Sequence, residues 1–427
     1  MARVSTSALI ALPVAAAALP AHADPAGAGA ACRGAGEVTV EEARLDGAVP
    51  QEILRRSGFD GRVADFAAAL CGARNAQAAQ AVVRHHGSRL WRAAVDRVQG
   101  HGRATGDLSA GDDRPLYWAR LGMTAALRTW EPHFELGGDR RADLVAALER
   151  WSRGHHEMRF PADSGVIRVV VTGFDPFGLD NDIRQANPSG AAALALDGTT
   201  IETDAGTALV RTAMFPVRWR DFTDGMVEQA LLPHYTGDRP ADVAVTVSQG
   251  RDGRFDLEAY NGAWRGGGAD NEMTGTAEQV PVPDGVPTVE PQPQWSESTL
   301  PHRAIAAAAT GPFPVFDNTE VTEIPAGRTE PVVRPDGPTP GSRAVRGGGG
   351  DYLSNEIAYR NTLLRDATGR DIPAGHVHTP ILRFGPHNAG AVTDPVFERD
   401  RTRIVEQVDA IVAEAVAHRR PQDSAQS

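Results

Sequence analysis

The feature that most constrains this chain is a short apolar segment that runs into a rigid loop. Residues Val166 to Thr172 are β-branched and apolar except for Arg168, and Gly173-Phe-Asp-Pro-Phe-Gly178 follows at once. A short apolar run closed by glycine and proline is typical of a strand buried on both faces of a parallel sheet. The preceding segment, Pro161 to Gly165, has no regular pattern. The sequence therefore predicts that a sheet-containing domain begins near residue 164.

The residues that follow indicate an alternation of strands and helices. Val243 to Val247 is a second apolar, β-branched run. Asn187 and Pro188 have the composition of a helix start, and the helix is expected to run through Leu196. A last helix is expected from about Asp400 to His418, because its apolar residues recur on one face. This alternation predicts an α/β fold, a three-layer sandwich with a mostly parallel central sheet.

Two parts of this region depart from the alternation. Residues 281–341 carry much of the chain's proline and are expected to form a largely irregular excursion. Residues 419–427 are polar and are expected to be a disordered tail. The α/β domain is thus predicted at 164–418, and residues 164–427 are expected to fold alone.

An all-helical N-terminal domain is predicted at residues 24–160. From about residue 38 to 160, alanine and leucine recur at intervals of three and four, with glycine-rich breaks. The pattern leaves open whether this domain is a lid, a docking module or a pro-region. The paired histidines His85-His86 would point about 100° apart on a helix and could not easily share one metal ion. We therefore predict no metal site and no cofactor.

The first 23 residues have the pattern of an export signal. Arg3 precedes an apolar stretch from Ser7 to Leu19, and Ala21-His-Ala23 is a small-x-small cleavage site. The mature chain is then expected to begin at Asp24 and to be secreted into the extracellular space. The alternative is an alanine-rich, disordered terminus.

Cysteine usage and charge fit an exported protein and limit its partners. The sequence has two cysteines, Cys32 and Cys71, as expected of one structural disulfide in an oxidising compartment. The net charge of −12 would repel nucleic acid and anionic membranes, so neither is expected as a main partner. No membrane contact is expected after signal cleavage, because no later segment has about 18 unbroken apolar residues.

Three segments carry a resemblance to a known family. Thr172-Gly-Phe-Asp-Pro-Phe-Gly178 is followed by Asn187-Pro-Ser189 and, later, by Ser298-Thr-Leu-Pro301. These segments resemble the pyroglutamyl peptidase I (pyrrolidone-carboxylate peptidase) family, whose first strand runs into a Thr-Gly-Phe-(Asp/Glu)-Pro-Phe-Gly loop and then Asn-Pro-Ser. The resemblance covers most of residues 164–418. It implies an insertion at roughly residues 312–341 relative to compact members.

The family's catalytic residues are Glu, Cys and His, and each has a counterpart in a matching local frame. A strand ending at Gln249 and the loop after it lead to Glu258, and His378 lies in the histidine frame. The segment Gly347 to Asn355 matches the nucleophile frame, with Ser354 where the family has cysteine. The resemblance implies that Ser354 is the nucleophile, His378 the general base and Glu258 the group that orients the base.

Each of these residues also has an ordinary structural interpretation. Ser354 precedes a helical segment and fits a helix N-cap. Glu258 fits a solvated carboxylate, and His378 fits a core histidine with its hydrogen bonds satisfied. The family's arginine before Asp270-Asn271 has no clean match, although Arg265 lies near enough to replace it.

The resemblance implies that the protein removes N-terminal pyroglutamate, or a similar small acyl group, from peptides. It places Phe174 and Phe177 as aromatics that stack on the lactam ring, with both as core residues the alternative. It also places Gln249 and Asn187 in substrate binding. The other hypothesis is a catalytically inactive family member that acts as a binding protein, which the missing cysteine and the long insertion favour.

Overall fold

A computed structural model describes residues 32–34, 36–102, 105–162 and 165–419. The expected signal at 1–23, its cleavage point at Asp24 and all but the first residue of the expected tail lie outside these residues. No helix within the described ranges has both the length and the apolarity needed to cross a membrane.

The described N-terminal part is helical and is closed by a disulfide. Cys32 is bonded to Cys71 at the end of the third helix. The fourth helix is capped by Asn75, whose side chain accepts a hydrogen bond from the Ala78 amide. The helices of this part are α1 Val40–Ala43, α2 Ala48–Ser57, α3 Asp60–Cys71, α4 Ala76–Val98, α5 Arg114–Thr129 and α6 Gly138–Trp151. A 3-10 turn at Arg44–Asp46 follows α1.

The C-terminal part alternates strands and helices, as expected. The helices are α7 Pro188–Leu196, α8 Trp219–Thr223, α9 Met226–Leu231, α10 Pro233–Thr236, α11 His302–Ala307, α12 Leu353–Ala367 and α13 Pro395–Ala417. The strands are β1 Ile167–Phe174, β2 Thr200–Thr203, β3 Gly206–Phe215, β4 Val243–Gln249, β5 Phe255–Glu258, β6 Tyr260–Gly262, β7 Trp264–Arg265, β8 Glu278–Gln279, β9 Trp295–Glu297, β10 Val315–Asn318, β11 Val321–Ile324, β12 Val332–Arg334, β13 Arg343–Arg346 and β14 Ala374–Thr379.

Seven of these strands form the central sheet, in the order β10-β5-β14-β4-β1-β3-β2. Four adjacent strands, β14, β4, β1 and β3, run parallel to one another. β2 is antiparallel to β3, and β5 is antiparallel to β14 and parallel to β10. The predicted α/β class with a mostly parallel sheet is confirmed.

The sheet is covered on both faces, because successive strand residues point to opposite sides. Val169 and Val171 of β1 pack in one apolar cluster with Ile404 of α13. Val170 packs in another with Ile357 of α12. The α7 and α13 helices therefore form one outer layer and α12 the other, which is the expected three-layer sandwich.

Two expected boundaries differ from the structure. The last helix begins at Pro395 rather than near Asp400, because Asp394 caps it by accepting from the Val396 and Phe397 amides. The proline-rich excursion is not irregular throughout. It contains β10, which joins the central sheet, and the strands β11 and β12; β11 pairs with both β12 and β13 in a separate three-stranded sheet.

The helical part and the sheet part share one hydrophobic core. Leu179, Leu194 and Met214 of the α/β part pack in the same cluster as Trp91 and Trp118 of the helices. A fragment that begins at residue 164 would expose this apolar surface to water. That residues 164–427 fold alone stays a prediction, and this exposed apolar surface is the feature that would favour aggregation of the fragment.

Buried charges join the same two parts beside the loop that follows β1. Arg120 and Arg153 both pair with the carboxylate of Asp175, the Arg153 contact at 2.7 Å. Glu149 lies 2.9 Å from Arg153 and 3.1 Å from Arg218. All five side chains are buried. The acidic residue of the Phe-Asp-Pro-Phe loop is thus held by arginines of the helical part.

Candidate active site

A buried histidine and glutamate form the centre of the site. His378 lies on β14, and Glu258 is the last residue of the antiparallel neighbour β5. His378 Nδ1 lies 2.6 Å from Glu258 Oε1. A carboxylate can only accept this hydrogen bond, so the proton sits on Nδ1 and the lone pair on Nε2. The interpretation of Glu258 as a solvated carboxylate is wrong, since only 1% of the residue is exposed.

The second oxygen of Glu258 is held by a residue that sequence reasoning missed. Asn318 Nδ2 donates to Glu258 Oε2 at 2.6 Å. Asn318 ends β10, whose parallel register places it directly beside Glu258. The proline-rich surroundings of β10 hid this strand, and no local pattern marks Asn318 as a site residue.

Ser354 is the second residue of α12, not its cap. The N-cap position is Tyr352, whose side chain makes no capping hydrogen bond. The Ser354 hydroxyl instead donates to the Gly349 carbonyl at 3.1 Å. The interpretation of Ser354 as an N-cap is therefore wrong. A Cβ atom on Gly349 would lie 3.1 Å from His378 Cε1, so Gly349 borders both the serine and the imidazole.

The glycines of the turn before α12 are needed because other groups approach them closely. A Cβ on Gly348 would lie 2.1 Å from Glu258 Oε2, and one on Gly347 would lie 2.1 Å from Asn355 Oδ1. Gly350 has φ +87°, a conformation that favours glycine. The turn therefore fits closely over the Glu–His pair.

Ser354 also lines a narrow pocket that contains the residues expected to bind substrate. Phe174, Phe177, Asn187 and Gln249 all contribute to it, and the remaining lining residues are Val217, Ser248, Tyr352 and Leu353. The structure thus brings Ser354 to one pocket with residues that lie more than 100 positions away.

Three of the four expected substrate-binding residues play different parts in this pocket. Phe174 is 3% exposed and stacks on Phe222, so it belongs to the core as well as to the lining. Phe177 is more exposed and lies 6.3 Å from the Tyr352 ring. The Asn187 amide is used within the protein, since it donates to the Asp175 carbonyl at 2.9 Å and caps α7. The predicted cap of α7 is confirmed.

Arg265 does not line the pocket but pairs with a residue in the first turn of α12, the helix that carries Ser354. Its guanidinium lies 3.1 Å from Glu356 in the first turn of α12 and also pairs with Glu278. Burial raises the pKa of Glu356, while Arg360 and Arg265 counter this effect. Arg265 therefore stabilises the helix start that carries Ser354.

A second buried histidine, His376, lies next to the first. The rings of His376 and His378 meet edge to face, 4.7 Å apart. His376 Nε2 lies 2.8 Å from Ser248 Oγ, and its Nδ1 lies 2.8 Å from Thr246 Oγ1. The parallel register pairs His376 with Thr246 and His378 with Ser248, so the four side chains lie on the same face of the sheet.

No group of three or more histidine, cysteine, aspartate or glutamate side chains within the described ranges is arranged to hold a metal ion.

Fold and site together define a two-part protein, a helical domain joined to an α/β domain that carries a buried Glu–His pair beside a serine at a helix start. Family models of the PA0049 N-terminal domain and the PA0049 C-terminal domain match residues 21–149 and residues 168–292 with 313–383. The uncharacterized protein PA0049 of Pseudomonas aeruginosa is 33% identical, and the match covers 88% of each chain. This chain therefore belongs to the PA0049 family.

Solved structures similar to the C-terminal part are pyroglutamyl peptidases. A variant of the pyrrolidone carboxyl peptidase of Pyrococcus furiosus is 20% identical, with a TM-score of 0.37, over 58% of this chain and 99% of that one. The pyroglutamyl peptidase I of Bacillus amyloliquefaciens is 19% identical, with a TM-score of 0.38, over 59% of this chain and 98% of that one.

Proposed function

We propose that this protein is a secreted hydrolase that removes N-terminal pyroglutamate, or a similarly small cyclic acyl group, from peptides. Ser354 is the nucleophile, His378 the general base and Glu258 its orienting partner. The observation that carries the proposal is the buried 2.6 Å contact between Glu258 and His378 Nδ1, together with Gly349, which borders both the imidazole and a serine that lines a partly aromatic pocket.

The Glu–His pair accounts for the proton transfers. Glu258 fixes the tautomer of His378, so that Nε2 can accept the proton of Ser354 as its oxygen attacks the acyl carbonyl. For this step the Ser354 hydroxyl turns from the Gly349 carbonyl towards His378. The imidazolium then gives the proton to the leaving amine, and water releases the acyl group from Ser354 by the reverse sequence.

The start of α12 supplies the electrostatic part of the mechanism. The first backbone amides of a helix have no partners within the helix and carry the positive end of its dipole. Ser354 lies in this first turn, so an oxyanion formed beside it meets free donors. A serine depends on this arrangement more than a cysteine does, because its hydroxyl does not ionise before attack.

The pocket favours a small, flat and uncharged group. The rings of Phe174 and Phe177 border it, and no charged side chain is among its lining residues. A lactam ring presents two apolar faces and a polar edge, which suits such a slot. Secretion is proposed from the export pattern of residues 1–23 and fits the disulfide between Cys32 and Cys71.

Labelling with a fluorophosphonate tests the nucleophile directly. We expect the wild-type protein to be modified on the peptide that contains Ser354, and the Ser354→Ala variant to remain unmodified, as read by mass spectrometry. Ser248→Ala is the matched control, since it removes the other serine of the same pocket and should leave the modified residue unchanged. A wild-type protein that neither reacts nor cleaves a pyroglutamyl amide would instead be a binding protein.

Gly348→Ala tests whether the turn must fit closely over the carboxylate. The added methyl group would lie 2.1 Å from Glu258 Oε2 and displace the orienting group, so kcat/KM should fall by about 100-fold or more. Gly268→Ala is the control, because its Cβ would meet no atom within 4 Å. Equal hydrolysis rates in the two variants would show that the position of Glu258 does not matter.

A further inference from the structure

The mechanism gives no role to a chain of hydrogen-bonded side chains that reaches the pocket. Ser248 is the last but one residue of β4 and lines the pocket beside Gln249. Its hydroxyl contacts His376, which contacts Thr246, which in turn donates to the Gly375 carbonyl at 3.2 Å. His376 and Thr246 are fully buried, and Ser248 is 4% exposed.

The hydrogen bonds of this chain indicate where its protons lie. A carbonyl oxygen can only accept, so the Thr246 hydroxyl donates to Gly375 and accepts from His376 Nδ1–H. The Nε2 lone pair of His376 then accepts from the Ser248 hydroxyl. This is the arrangement in which every proton of the buried chain has an acceptor and all three bonds reinforce one another.

The same hydrogen bonds argue against His376 as a base that would activate Ser248. Burial, together with the neighbouring His378, lowers the pKa of His376 well below its usual range. The partner of Nδ1 is a hydroxyl rather than a carboxylate, so nothing stabilises a protonated ring. His376 therefore cannot take up the proton that an attacking serine would release.

We propose that Ser248 is a fixed hydrogen-bond acceptor that selects acyl groups carrying an N–H donor, such as the lactam nitrogen of a pyroglutamyl residue. The Ser248 hydroxyl donates its only proton to His376 Nε2, so it can offer the pocket only the lone pairs of its oxygen. A ligand that has no N–H group next to Ser248 leaves the buried Ser248 oxygen without a hydrogen-bond donor, and this lowers the affinity. The substrate class rests on the proposed function, but the direction of the hydrogen bond does not.

The proton arrangement is tested first in the ligand-free wild-type protein. Long-range ¹H–¹⁵N spectra of histidine-labelled protein should show the His376 ring neutral and protonated on Nδ1, with the signal assigned by its loss in His376→Phe. A ring protonated on Nε2 would make Ser248 a donor towards the pocket and overturn the proposal.

Ligand preference is tested in the Ser354→Ala background, where turnover is blocked. A pyroglutamyl dipeptide amide should bind about tenfold more tightly than its 3-oxocyclopentanecarbonyl counterpart, which has the same ring shape but CH₂ in place of N–H. The further change Ser248→Ala should bring the two affinities together, and Ser248→Thr should keep them apart.

Equal binding of the two ligands, binding of neither, or a preference that survives Ser248→Ala would each overturn the proposal. These results are independent of turnover. If the protein prefers the lactam but never cleaves it, the hydrolase function is refuted and the acceptor role of Ser248 remains. If it cleaves the lactam amide but shows no preference between the two ligands, the acceptor role is refuted and the hydrolase function remains.

Discussion

His378→Ala is expected to abolish cleavage of pyroglutamyl amides in the wild-type chain and equally in a Ser354→Cys variant. Neither a hydroxyl nor a thiol at position 354 is competent without its base, so kcat should fall by about 10⁴-fold or more in both backgrounds. Ser354→Cys alone should keep or raise the rate, because a thiolate forms readily beside an imidazole. The measurement is release of a chromogenic amine from a pyroglutamyl amide.

His418→Ala provides the matched control for the loss of a histidine. His418 is exposed at the end of α13 and contacts Glu414, far along the chain from the site residues, and its loss should leave the rate unchanged. Turnover that survives Ser354→Ala would refute the serine mechanism. A wild type that is inert until Ser354→Cys is introduced would identify a binding protein with a peptidase-like fold.

Asp175→Ala is expected to lower the free energy of unfolding by about 3–5 kcal/mol, because it leaves two buried guanidinium groups with only Glu149 as a shared counter-charge. Arg120 and Arg153 both pair with this carboxylate, and none of the three side chains reaches solvent. Urea unfolding followed by circular dichroism measures the change. Binding at the pocket should weaken as well, since Asp175 lies between the two phenylalanines that border it.

The control for this change is an ion pair of the same composition on the surface. Asp252 pairs with Arg383 at 2.6 Å, and both side chains are more than half exposed. Asp252→Ala should therefore cost less than about 1 kcal/mol. Similar losses in the two variants would mean that the Asp175 network does not stabilise the contact between the helical and α/β parts.

The parts of the fold that local composition determines were predictable. β1 and β4 are continuous apolar runs, and Asn187 with Pro188 marks the start of α7. β5 was not predicted, because buried polar residues interrupt its apolar pattern, and β10 was not predicted because it lies in a proline-rich segment and is partly exposed. Asp256 of β5 is buried against Arg251 and Arg254, a compensation that only the tertiary structure reveals.

The same distinction applies to the site. Glu258, Ser354 and His378 could be proposed because each lies in a recognisable local segment. Asn318 and Ser248 could not, because their roles depend on strand register with partners 60 and 128 positions away. The partners of Asp175 lie in a helical part without a recognised motif, so no local pattern connected that part to the pocket.

The arginines that hold Asp175 also have a consequence for the order of folding during synthesis. Arg120, Glu149 and Arg153 are made before Asp175, so the helices emerge from the ribosome with two interior cations that share one carboxylate until Asp175 is made. The nascent helical segment would have to keep these side chains hydrated and its packing loose until β1 and the loop after it arrive. The helical part would then complete its packing only after the end of β1 and the loop that carries Asp175 have been made.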